Sequence, residues 1–167
     1  MTIKADFTVE EWSQLRQAPP LAGLYALVAE PGGTIAKTLS MAEVYGDVQE
    51  RWWGPNHPEG LVDEIAGEGP EFDRARFGSL PSDIDVDAVK GEGLEQLRAA
   101  VTMLRGKATP HEVAEYQRFV SGISQRVANA HKEGGFLGLG GTRVSAKERA
   151  ALGEIEAALG LVVPAAV

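Results

Sequence analysis

Three histidines, no cysteines and a scatter of carboxylates bound the chemistry open to this chain. His111–Glu112-x-x-Glu115 has the form of a metalloprotease signature without its second histidine. His111 and Glu115, four residues apart, share a helix face and could hold a cation between them. His131 lies twenty residues further along the same predicted helix, about 30 Å away at 1.5 Å per residue, too far to complete the set. Asp83, Asp85 and Asp87 begin like a calcium loop, but Ala88 stands where the turn needs glycine and Leu94 where it needs a closing glutamate. An acidic solvated loop is the simpler reading of that triplet.

The glycine-rich run Gly134–Gly141 invites comparison with phosphate-binding loops. Gly135, Gly140 and Thr142 occupy the right positions, yet Gly141 replaces the lysine that would reach a phosphate, and the run follows a helix instead of a strand. As a dinucleotide fingerprint it fails because Arg143 takes the place of the third glycine. An anion at the start of the helix beyond Ser145 would compete with Ser145 and Glu148 for the same backbone amides. The remaining reading concerns Phe136, Leu137 and Leu139: they either tuck under the fold or present an apolar patch to a partner. Trp52, Trp53 and His57 form a second such place. Neighbouring helical positions diverge by about 100°, so the two tryptophans cannot enter one core together, and one of them is left to act as a lid or a partner anchor. No nucleophile elbow, Ser-His-Asp order or cofactor-lysine motif occurs. No catalytic residue, metal ligand or cofactor is therefore assigned.

Composition narrows the class. With 167 residues, 44% hydrophobic and 24% charged, the chain has the make-up of one folded domain. No stretch approaches the roughly 20 apolar residues of a membrane span. The opening MTIKADFTVEEW lacks an apolar export core, which makes the cytoplasm the expected location. The formal net charge of −8 disfavours a phosphate backbone as partner. That charge is uneven: residues 59–95 carry eleven acids against three bases, whereas residues 118–149 are net +4. The asymmetry is read either as solvated faces or as two surfaces that dock on each other or on a second copy.

The elements that must position these residues are helical. Thr8 and Glu11 spell a capping box, flanked by Phe7 and Trp12 at the positions of a hydrophobic staple. The spacing predicts a short helix ending before Pro19–Pro20 and a second helix over residues 20–30, stopped by Pro31–Gly32–Gly33. A helix over about 34–53 follows, with Ile35, Leu39, Ala42 and Val48 inward, then a turn or two at Leu61–Ala66. Residues 67–81 read as a long loop, and 83–93 stays open between loop and helix because Gly91 and Gly93 oppose an amphipathic continuation. Leu94, Leu97, Val101 and Leu104 restore the helical period. Thr109–Pro110–His111–Glu112 caps a helix carrying Val113, Tyr116, Val120, Ile123 and Val127, and Ser145 with Glu148 caps a last helix through Leu159.

The stretch from Ala108 to Leu159, above all KEGGFLGLGGTRVSAKERAALGEIEAAL, resembles a family of uncharacterised all-helical bacterial proteins with an EGGFLGxGGxRVSxxER-type segment, and FTVEEW…PLAGLYALVAEPGG looks like the start of the same family. The resemblance implies the fold and lends no activity. A fainter likeness, through Glu133–Gly134 and Val144–Ser145-x-x-Glu148, is to tellurite-resistance B-type helical domains; the glutamate in place of aspartate and the longer spacing put that fold's metal binding in doubt. Ala26-x-x-Ala29–Glu30 before Gly32–Gly33 echoes Ala130 to Gly135; with 20 glycines in the chain, chance is the simpler source of the pattern and duplication the alternative.

The expected architecture is all-α: a compact multi-helix bundle of antiparallel helical hairpins with an irregular acidic segment near 67–93. It forms one domain over 1–167, with halves 1–66 and 94–160 joined by the acidic connector. The expected function is a non-enzymatic protein-interaction or stress-associated module, whose partner is an unknown protein or a second copy of the chain. The alternative is a small-molecule or metal binder with a pocket in the bundle, enzymatic chemistry included.

Overall fold

A computed structural model describes residues 1–29, 41–53, 60–78, 84–133 and 145–161, apart from the side chains of 41–43, 51–53 and 130–133. Among the described residues there are seven α-helices and no strand: α1 (Val9–Leu27), α2 (Met41–Trp53), α3 (Leu61–Gly67), α4 (Arg74–Phe77), α5 (Val86–Arg105), α6 (Pro110–Glu133) and α7 (Ala146–Leu159). The all-α bundle is as expected, and none of these helices is long and apolar enough to cross a membrane.

All three capping boxes form. Thr8 Oγ1 accepts from the Glu11 N–H at 3.2 Å while Glu11 accepts from the Thr8 N–H at 2.8 Å. Thr109–Glu112 and Ser145–Glu148 repeat the exchange at α6 and α7. Each box satisfies donors that a helix start would otherwise leave bare. The staple forms as well, with the Phe7 and Trp12 rings 5.7 Å apart. At the other end of α7, Gly160 takes the left-handed conformation (φ 74°), and the Leu161 N–H closes on the Glu156 carbonyl at 2.9 Å. A Cβ at Gly160 would lie 2.5 Å from Arg105 Nη2. Gly160→Ala is therefore expected to cost about 1–2 kcal/mol, from backbone strain and displacement of Arg105, read as a lower urea midpoint with unchanged slope.

The core centres on α1 and α6. Positions 18–26 of α1 and 119–124 of α6 are buried all round, which a single apolar stripe would not produce. Helices α5 and α7 cover α1 from other sides, and α2, α3 and α7 also pack on α6. The expected inward residues Val113, Tyr116, Val120 and Ile123 are buried, as are Leu97, Val101, Leu104, Ile155 and Leu159. Leu94, Val127 and Leu152 are half-buried at its edge.

Three sequence expectations need correction. Helix α1 does not stop before Pro19–Pro20; it runs unbroken through both. Proline has no N–H to give the carbonyl four residues back, so Pro19 frees Leu15 O and Pro20 frees Arg16 O. Both acceptors find donors from elsewhere in the chain: the Tyr116 hydroxyl donates to Leu15 O at 2.9 Å, and the Glu71 N–H approaches Arg16 O at 3.4 Å. Next, the 67–81 loop contains the short helix α4, started by Asp73, whose carboxylate accepts from the Arg76 N–H at 3.0 Å. Finally, the irregular acidic segment does not reach 93. Helix α5 begins at Val86, where Asp85 accepts from the Ala88 N–H at 2.9 Å. Gly93 lets this helix approach α1, since a Cβ there would meet the Tyr25 ring at 3.3 Å and Leu21 at 3.8 Å.

Candidate functional site

The described polar groups gather most densely where the acidic connector after α3 lies on α1. Ser13, Arg16 and Gln17, spaced three and four apart, share one helix face. Arg16 Nη1 donates to Glu71 Oε2 at 3.0 Å, and Gln17 Nε2 and Ser13 Oγ both donate to Glu71 Oε1. Arg16 Nη2 reaches past the carboxylate to the carbonyls of Glu68 at 3.1 Å and Gly69 at 3.2 Å. Those carbonyls face the helix because the chain turns at Gly69, with φ 77°.

Glu68 completes the cluster. Its carboxylate accepts from Lys4 Nζ at 2.5 Å and from the Trp12 indole N–H at 3.2 Å, with Arg16 Nη1 at 3.4 Å. The Lys4 and Trp12 hydrogen bonds outweigh the effect of burial and hold this carboxyl below its ordinary pKa. Lys4 also lies over the Trp12 ring, 5.6 Å from its centre. The side-chain contacts from α1 are donors facing acceptors, the arrangement of a carboxylate- and carbonyl-binding surface.

Two further polar centres lie in the core. The Glu112 carboxylate accepts four hydrogen bonds, from the Thr2 N–H (2.6 Å), Thr2 Oγ1 (2.9 Å), Thr109 N–H (2.9 Å) and Thr109 Oγ1 (2.7 Å). Burial alone would raise its pKa; the four donors overcome that and hold it down at about 2. Behind α1, Tyr116 is fully buried and spends its proton on Leu15 O, and burial, with Tyr45 nearby, pushes its pKa well up. The Tyr45 ring meets Phe119 edge-on at 5.1 Å, while its buried hydroxyl has no hydrogen-bond partner among the described residues. Burial raises the Tyr45 pKa against the pull of the Arg16 charge. At the α1–α7 contact the Tyr25 hydroxyl donates to Glu154 at 2.6 Å; burial first, then that carboxylate, push its pKa up to about 12.

No protein-family model, curated protein or solved structure matches the chain.

Trp52 and Trp53 are the last two residues of α2, with side chains outside the described set; His57, Phe136, Leu137 and Leu139 also lie outside the described residues. His111 Nδ1 lies 3.4 Å from Glu115 at the exposed start of α6, and among the described residues no group of three or more His, Asp or Glu converges as a metal set would. Asp85 serves as the α5 cap and Asp87 is exposed. Sequence reasoning missed Ser13, Arg16, Gln17 and Glu71. Their only local signal was the spacing of three donors on one face, which any solvated helix can show.

The two unevenly charged stretches find partners in several places. Glu68 and Glu71 reach back to Lys4 and Arg16, Arg76 pairs with Glu92, and Arg126 of the basic stretch pairs with Asp47 on α2 at 2.7 Å.

Proposed function

We propose that the chain is a non-enzymatic protein-interaction module, self-associating or stress-associated, which engages its partner through the Phe136–Leu137–Leu139 loop and the Trp52–Trp53–His57 turn. The observation that supports this reading is how the carboxylates are used. Glu11, Glu112 and Glu148 accept from backbone amides at helix starts, and Glu68 and Glu71 are bound by α1. These carboxylates spend acceptor sites on holding the fold together, Glu112 using all four of its own. Exposed apolar side chains at Met1 and Val9, 84% and 82% accessible, add contact area outside the core.

Trp53→Ala and Phe136→Ala are expected to weaken capture of a second copy of the chain while leaving the helical circular-dichroism signal unchanged. Native mass spectrometry of wild type and variants over a concentration series reads this. Equal subunit composition in all three proteins, together with equal recovery of other partners, ends the assignment of these surfaces.

One observation favours the rival reading, a small-molecule binder with a pocket in the bundle: among the described residues the buried Tyr45 hydroxyl meets no acceptor, and such groups normally have one. A ligand that supplied it would raise the melting temperature, since occupancy at a hundred times Kd adds about 2.7 kcal/mol. A flat thermal-shift screen with metals and common metabolites removes this reading.

A further inference from the structure

The polar face of α1 already holds a ligand, and that ligand is the chain itself. Residues 68–71, Glu-Gly-Pro-Glu, lie on α1 as an acidic peptide would. Both carboxylates are bound, Glu68 by Lys4, Trp12 and Arg16, and Glu71 by Ser13, Arg16 and Gln17. The main chain is bound too, through the Arg16 contacts to the Glu68 and Gly69 carbonyls and the approach of the Glu71 N–H to Arg16 O. The last contact is unusual in kind. A helix interior normally offers a passing peptide no backbone acceptor, because each carbonyl is taken by the N–H four residues on. Pro20 leaves Arg16 O open, so one residue presents both a guanidinium and a carbonyl to the same segment.

The geometry points to an acidic-peptide site on α1 and the turn before it, built from Lys4, Trp12, Ser13, Arg16 and Gln17, occupied in cis by residues 68–71 and able to accept a Glu-x-x-Glu segment of a second polypeptide once that strap is released. The proposal deepens the interaction-module reading, on which it rests, by naming the partner's chemistry. The ion pairs are open to water: the Glu68 and Glu71 side chains are each 33% accessible and Arg16 is 20%. Pairs this exposed are individually weak and salt-sensitive, so the strap can exchange. It is also short, running from the end of α3 at Gly67 to the start of α4 at Arg74, and a tethered ligand on such a span acts at an effective concentration of about millimolar. A free peptide has to compete with that, and the wild-type site is largely self-occupied.

The test uses the full chain and a fluorescently labelled peptide with the sequence of residues 66–73, titrated by anisotropy at low salt. Wild type is expected to bind only near millimolar peptide. The Glu68→Gln/Glu71→Gln variant, which loosens the strap, is expected to bind about ten-fold tighter or better. Adding Arg16→Ala to that variant, or replacing both peptide glutamates by glutamine, is expected to abolish the gain. The amides of Glu68, Gly69 and Glu71 in wild type are expected to exchange hydrogen far faster than those of α6. A folded double variant that binds no better than wild type overturns the site, as does binding that survives Arg16→Ala. Strap amides protected as strongly as α6, or a double variant that fails to fold, show the segment to be a fixed part of the core and also overturn it. Failure here with Trp53→Ala and Phe136→Ala still impairing association leaves the broader reading standing; the reverse pattern moves the interaction surface to α1.

Discussion

Tyr116→Phe, which removes a single oxygen from the core, is expected to destabilise the protein by about 1–3 kcal/mol, the cost of leaving a buried acceptor bare. The acceptor is Leu15 O, which Pro19 cannot serve and which the Tyr116 hydroxyl reaches at 2.9 Å. The ring itself is fully buried, and phenylalanine preserves its shape, so little of the loss comes from packing. A double-mutant cycle isolates the cause. In a Pro19→Ala background the new N–H at position 19 can serve Leu15 O through the ordinary helical bond, and Tyr116→Phe should then cost less than about half as much as it does beside proline. Urea unfolding of the four proteins gives the coupling directly. An equal cost of Tyr116→Phe in both backgrounds would mean that the hydroxyl matters for some reason other than the proline-freed carbonyl.

That pair also shows where sequence reading succeeds and where it fails. The caps at Thr8, Thr109 and Ser145 were legible because each box is written within four residues, and its energy does not depend on what the rest of the chain does. The buried stripe of α6 was legible for the same reason, a local period. The passage of α1 through Pro19–Pro20 was not. Two helix-breaking residues, each worth about 3 kcal/mol against a helix interior, argue locally for a stop. They are outweighed by donors at Tyr116 and Glu71 and by burial of positions 18–26 on every side. The start of α5 at Val86 was obscured in the same manner. Gly91 and Gly93 weaken the helical pattern by about 1 kcal/mol each, and the close approach of Tyr25 and Leu21 on α1, which the local sequence does not show, explains why Gly93 belongs there. The carboxylate-binding face of α1 was hidden because a carboxylate it binds, Glu71, sits in a segment whose composition reads as loop. Tryptophan and phenylalanine candidates stood out by residue type alone, a signal that gives no position in space.

Glu112 carries the second large effect, and here the variable is pH. Its carboxyl is held at about 2 in the folded protein, against about 4.3 in an unfolded chain. A folded-state pKa depressed in this sense contributes stability that is fully present above the unfolded value and is lost as pH falls through the folded one. The window therefore runs from about pH 5 down to pH 2, and a difference of roughly two units corresponds to about 3 kcal/mol. Burial favours the protonated acid, so the whole contribution comes from Thr2 and Thr109, whose four donors need an anion. Glu112→Gln keeps one acceptor oxygen and the shape but removes the titration. The variant is expected to be less stable at pH 7 by about 2–3 kcal/mol, yet to lose markedly less further stability than wild type between pH 5 and pH 2. Guanidinium is unsuited to this measurement because it screens charge, whereas urea midpoints at each pH report it cleanly. Parallel acid limbs in wild type and Glu112→Gln would assign the acid sensitivity to other carboxylates. Glu11 and Glu68, both also held below their ordinary pKa, are the next to examine. A flattened limb in the variant would identify the clasp between Thr2 and the start of α6 as the contact whose protonation first loosens the fold.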